Sequence, residues 1–347
     1  MDAMRRITVG AAAAVLALGT LTACGGSSSS SSSGSGSAEL TEVQLMTFPG
    51  VAYRLPVIVA EKQGYFESAG VKITEIAQPN NLPGVQAMHS TNSNIGQFAV
   101  ATASQAAEAG QDVKLFCGFI PEVQSTIVAN KDSDLPSTAD GATWQQVMQA
   151  LAGKKFGVQV PVGAGFQLLT AAAFAEAGVT DVTYVNVGGS NSTTGPALDN
   201  GDVDAAIASP PGTQFLTEGS GKQKKLLYLP DGPSAYKDWY GSAWGAPSAW
   251  VNSNPEAAKG FCKAVQQGID WVKDPANAAE AEKLLMDDTG VPADIAKSVV
   301  STEYEPYSTA LPKDKMETTL KGYVDAGILK GDPPVTYDTL VSDQTGQ

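Results

Sequence analysis

From Glu42 onward the chain alternates short apolar runs with amphipathic segments, and this alternation constrains the fold more than any other feature. The stretches "EVQLMTF", "VKITEIA", "NIGQFAV", "DVKLFCGF" and "QSTIVANK" read as strands. Helical patterns lie among them: "LPVIVAEKQGYFESAG", stopped by Gly70, then "LPGVQAMHST", and "TASQAAEAG", stopped by Gly110. A second series follows, with strands at "KFGVQV", "VTYVNV", "DAAIAS" and "KLLYL" and helices at "TWQQVMQALAGKK", "GFQLLTAAAFAEAG", "GPALDNG" and "GTQFLTEG". Beyond Trp250 the pattern turns helical. Strands separated by helices predict an α/β fold with largely parallel sheets. Two such series and a helical tail predict two lobes. No short internal repeat runs through the chain, which excludes a solenoid.

The front of the chain has a different character. Arg5 and Arg6 precede an apolar run over residues 7–21. A spanning helix needs about 20 apolar residues, so the run fits a signal-peptide core. It ends in "LTAC", with leucine at −3, small residues next and Cys24 at +1. This resembles the lipobox of bacterial lipoproteins and implies a signal peptide over 1–23, cleavage before Cys24 and diacylation of its thiol. Residues 24–39 are almost all serine and glycine. They have little apolar surface to offset ordering entropy and act as a soft tether. Two acyl chains hold a protein stably. The expectation is a body anchored at the outer face of the bacterial cytoplasmic membrane.

Formal net charge is −14, which argues against nucleic acid or an anionic lipid surface as a partner. The single histidine, His89, lies on an expected short helix and reads as a surface or packing residue, which argues against a histidine-based triad and a multi-histidine metal site. No enzyme activity, cofactor or metal is expected. With Cys24 assigned to lipid, Cys117 and Cys262 remain. Outside the cytoplasm such a pair can oxidise, and a disulfide and two buried thiols both stay open. The acid pairs Asp287–Asp288 and Glu303–Glu305 read as solvated faces.

At "AEKQGYFESAGVKI" the chain resembles the opening signature of the periplasmic substrate-binding proteins of ABC importers, in the group that takes aliphatic sulfonates, taurine, nitrate and thiamine precursors. "NIGQFAVATASQAAEAGQDVKLF", "LAGKKFGVQVPVGAGFQLLTAAAFAEAGV" and "ALDNGDVDAAIASPP" continue the resemblance in order, from about Val43 to Leu329. It implies a type II two-lobe fold with a double-crossover hinge that closes on a ligand. Lobe 1 would be 40–128 plus 250–340 and lobe 2 would be 129–249, with crossings near "IVANKDS" and "GAPSAWVNS". It further implies a monomer that delivers a small anionic or polar organic ligand, such as a sulfonate or an aromatic or other carboxylate, to a permease and its ATPase. A neutral heterocycle such as a thiamine precursor, or a non-transporting sensor lipoprotein, are the alternatives. Thiamine-pyrimidine synthases of this fold carry a "CCCFC" motif that is absent here.

Ligands of open α/β sheets sit at the carboxyl ends of strands, and four loops qualify. "PGVAYR" offers Tyr53 and Arg54, the sole arginine after residue 6. Its guanidinium could grip a carboxylate or sulfonate, or could ion-pair at the helix start. "AVATAS" offers Ala101 for close backbone approach and the hydroxyl of Thr102. "PVGAGF" offers the N–H groups of Gly163, Ala164 and Gly165 at a helix N-terminus, suited to an anion. "GGSNSTTG" offers Asn191 and Ser192. Trp244, near the second crossing, could wall the cleft or belong to the core. None of the four loops carries Asp or Glu, and the pattern therefore leans toward an anionic or neutral polar ligand.

Overall fold

The computed structural model of the chain describes residues 40–77, 84–188 and 191–342, without the side chains of Asn191 and Ser192. The leader, Cys24 and the serine-glycine tether lie outside the described residues. Among those described, no helix is long and apolar enough to cross a membrane.

Among the described residues ten strands form two five-stranded sheets. The first sheet holds β1 (Thr41–Thr47), β2 (Val71–Ala77), β3 (Ile95–Ala99) and β4 (Lys114–Ile120). The second holds β5 (Thr126–Asn130), β6 (Lys155–Val158), β7 (Thr183–Asn186), β8 (Ala205–Ala208) and β9 (Gln223–Tyr228). The tenth, β10 (Ser242–Ala246), returns to the first sheet. The orders are β2-β1-β3-β10-β4 and β7-β6-β8-β5-β9. In each sheet one strand runs against its neighbours: β10 is antiparallel to β3 and β4, and β5 is antiparallel to β8 and β9. The exchanged strands are the two that follow a crossing between lobes, so each sheet contains one strand delivered from the other side.

Burial follows this plan. β8 and β10 are buried along their whole length, as strands with helices on both faces should be. Edge strand β2 keeps exposed residues between covered ones. The first sheet is backed by the 19-residue helix Pro255–Lys273, which buries Phe261, Val265 and Ile269 on one face. Cys117 of β4 and Cys262 of this helix form a disulfide with Cα atoms 5.7 Å apart.

Several local readings change. "SAWGA" is a strand, although its serine, alanine and glycine residues show no polar-apolar alternation. The sequence pattern marks no element there, only Trp244 near the second crossing. Because β5 pairs with β8 and β9, and β10 with β3 and β4, the chain passes between sheets within 121–125 and before Ser242, earlier than the expected 128/129 and 249/250. The first helix stops at Lys62, and Gly64, at φ 70°, takes the left-handed conformation that separates it from the short helix Tyr65–Ser68. "AVATAS" is mostly helix, since Val100–Glu108 begins directly after β3. Part of "GGSNSTTG" is helical too, within Asn191–Asp199.

Candidate functional site

A cavity of about 810 Å³ lies between the two sheets. Lobe 1 contributes the segment after β1 (Phe48 to Tyr53), the end of β3 with the start of helix Val100–Glu108, and Glu303 with Tyr307 from the tail. Lobe 2 contributes Gln159 to Pro161 and Ala164 to Phe166 after β6, and Ser209 to Pro211 after β8. Both crossings line it, through Val123 to Ser125 and through Gly241 and Ser242. This is the mouth that strand carboxyl ends create in an open α/β sheet.

Its chemistry is distinctive. Among the described residues six glutamines line it: Gln86, Gln97, Gln105, Gln111, Gln124 and Gln159. Gln97 Nε2 donates to Ser242 Oγ at 2.7 Å, which fixes a primary amide beside the second crossing. Ser125 and Ser209 hydroxyls lie 3.0 Å apart across β5 and β8. Five aromatic rings share the wall: Phe48, Tyr53, Phe98, Phe166 and Tyr307. Among the described lining residues there is no lysine or arginine, and the only charged side chain is Glu303.

Glu303 follows helix Ala293–Thr302 as its C-cap and is 5% exposed. Its Oε1 accepts from the Tyr307 hydroxyl at 3.0 Å. Burial pushes its carboxyl up to about 8, with the Tyr307 bond opposing that rise. The sequence reading of Glu303 as a solvated acid is thus corrected. Two tyrosines placed one and four residues beyond it, in "EYEPY", are the signal that marks a buried carboxyl here. The neighbouring Tyr304 hydroxyl donates to Ala52 O at 2.7 Å, which ties this tail segment under the first loop.

Arg54 takes the structural alternative. Its Nη1 donates to Asp288 and its Nη2 to Glu75, with the three side chains 14%, 11% and 25% exposed. The Gly50 N–H also donates to Asp288 at 3.3 Å. The guanidinium therefore clamps the β1 loop to β2 and to the tail helix Ala278–Thr289, and it does not line the cavity. Asp288 is accordingly no solvated acid.

Of the other expected residues, Tyr53, Thr102, Ala164 and Gly165 line the cavity. Gly163 does not; its N–H donates to Gln167 Oε1 at 2.8 Å. Ala101 is buried and faces Gly165 across the lobes. Trp244 is 3% exposed and packs on Phe119 and Phe261, with ring centroids 4.9 and 5.2 Å away, as a core residue. The Asn191 and Ser192 side chains lie outside the described residues. His89 sits away from the cavity, its Nε2 3.0 Å from Asp112 O. No group of three or more His, Cys, Asp or Glu side chains comes together as a metal site among the described residues.

Two α/β lobes with exchanged strands and a cavity at their crossings are the arrangement of the periplasmic binding protein fold. The same fold is found in the alkanesulfonate-binding protein SsuA of Xanthomonas axonopodis pv. citri bound to MOPS, at 18% identity and TM-score 0.66 over 84% of this chain and 95% of that one. It is also found in the nitrate-binding NrtA of Synechocystis PCC 6803, at 15% identity and TM-score 0.68 over 89% and 88%. A Candida albicans gene product described as having the generic periplasmic binding protein fold matches at 16% identity and TM-score 0.67 over 87% and 96%. No curated protein sequence matches the chain. The chain belongs to the NMT1/THI5-like family, whose model matches residues 52–278.

Proposed function

We propose that this protein is the extracytoplasmic solute-binding component of an ABC importer, held to the membrane through Cys24, and that it captures a small polar organic ligand between its lobes. The observation that carries the reading is the 810 Å³ interlobe cavity lined by six glutamines and five aromatic rings. Amides offer donors and acceptors without charge, and rings supply apolar faces. Such a lining suits a planar, nitrogen- and oxygen-bearing solute. Of the ligand classes the sequence suggests, the anionic sulfonate and carboxylate are the ones this lining disfavours. The reason is that Arg54 is occupied by two carboxylates and no other cation lines the described wall.

The experiment is a thermal-shift screen of the full chain against sulfonates, carboxylates, heterocycles and amines, followed by small-angle scattering. A ligand at about 100 times its dissociation constant adds about 2.7 kcal/mol of stability. The expected result is a raised melting temperature together with a smaller radius of gyration in the complex. A panel without any binder, or a binder that leaves the scattering profile unchanged, overturns the reading.

A further inference from the structure

Glu303 is a charged group that the polar-solute reading does not use. Its carboxyl is 5% exposed at the wall of the cavity, with one oxygen held by Tyr307 and the other without a hydrogen bond to the described residues. No lysine or arginine pairs with it among the described residues. The segments 78–83 and 189–190, which lie outside the description, contain no ionisable side chain. An ionised carboxylate buried without a partner is costly, and a cation is the partner that offsets that cost. Aromatic faces around the same space add attraction for a cation, and glutamine carbonyls accept its N–H groups. An anion entering the cavity would meet a carboxyl and no balancing charge.

We propose that the ligand carries a cationic nitrogen group, an amidinium, guanidinium or ammonium on an apolar or aromatic body, and that Glu303 positioned by Tyr307 binds that group. This rests on the interlobe cavity being the ligand site. The groups that bear on Glu303 are the hydroxyl of Tyr307, the phenols of Tyr304 and Tyr228, and Tyr53 beside Tyr307. Lys273 is near as well, its ammonium donating to the Tyr307 carbonyl at 2.9 Å. Without a cation beside it the buried carboxyl, with its ionisation pushed up to about 8, holds its proton at neutral pH. A bound cation ionises it and releases that proton.

The test is isothermal titration of the full chain with benzamidine, benzamide and benzoate, which share one shape and are positive, neutral and negative. Benzamidine should bind tightest. Glu303→Gln should weaken benzamidine at least tenfold more than it weakens benzamide. Tyr307→Phe should weaken benzamidine by a smaller factor. Titration near pH 7 in buffers of different ionisation enthalpy should show release of about one proton with benzamidine and none with benzamide. This last readout uses the wild type and does not depend on how the variants fold. Benzoate binding tightest, benzamidine indifferent to Glu303→Gln, or none of the three binding would each overturn the proposal. If the screen above finds sulfonate or other binders while benzamidine fails, the solute-binding reading stands and this one falls.

Discussion

Gly165 at the start of its helix in lobe 2 faces Ala101 in lobe 1 so closely that a β-carbon on the glycine would lie 2.9 Å from the Ala101 methyl. Gln105 Oε1 would lie 3.1 Å from the same atom. The lobes therefore touch at the cavity edge through a residue with no side chain, and this contact exists only when the lobes are together.

Gly165→Val should hold the lobes apart. Small-angle scattering should give a larger radius of gyration than wild type under ligand saturation. Affinity for any ligand found by the screen should fall at least tenfold. A variant that binds and compacts like wild type would show that the contact yields.

Arg54→Ala should unfold more easily rather than merely bind less well, because it leaves Glu75 and Asp288 partly buried without their cation. Breaking one partner of such a cluster costs about 3 kcal/mol. Arg54→Lys should recover little, since a single ammonium does not span two carboxylates as a planar fork does. Urea denaturation of the three proteins measures this.

Stability should fall as pH rises from about 5 to 8. Burial raises Glu303 to about 8, and burial with the nearby Glu75 raises Glu61 to about 7, so between those values and the ordinary carboxylate range the native chain holds more protons than the unfolded one. Their stabilising contribution is complete in acid and is lost as pH passes through 7 and 8. Glu303→Gln should flatten the upper part of this decline. Urea midpoints across the pH range provide the check.

Removing the disulfide between Cys117 and Cys262, which are 145 residues apart, should lower stability by about 2–5 kcal/mol. Both cysteines lie in lobe 1, so ligand affinity should change by less than about threefold. Cys117→Ala/Cys262→Ala, compared with wild type with and without reductant, separates the two effects.

Fatty-acid metabolic labelling should mark the wild-type chain and not Cys24→Ala. Equal labelling of the two would remove the lipid anchor from the proposed function.

The residues after β1, after β3 and after β6 were legible as cavity-lining loops because each follows an apolar strand, and the topology of an open sheet puts such positions at its mouth. Tyr53, Thr102, Ala164 and Gly165 were found this way. Glu303 and Tyr307 were not, because they come from a helical tail far along the chain whose docking under the β1 loop has no local sequence cause. The glutamines are scattered from position 86 to 159 and carry no motif.

Local sequence thus determined the α/β class, nine of the ten described strands and three of the segments that open on the cavity, since polar-apolar period and turn residues act within a few positions. Tertiary structure decided everything that depends on charge. Arg54 looked free for a ligand until β2 and the tail helix brought Glu75 and Asp288 to it, and Glu303 looked solvated until Tyr304 and Tyr307 buried it. Whether a charged side chain is paired, solvated or available depends on neighbours within a few ångströms. For Arg54 and Asp288 those neighbours stand 234 residues apart in sequence.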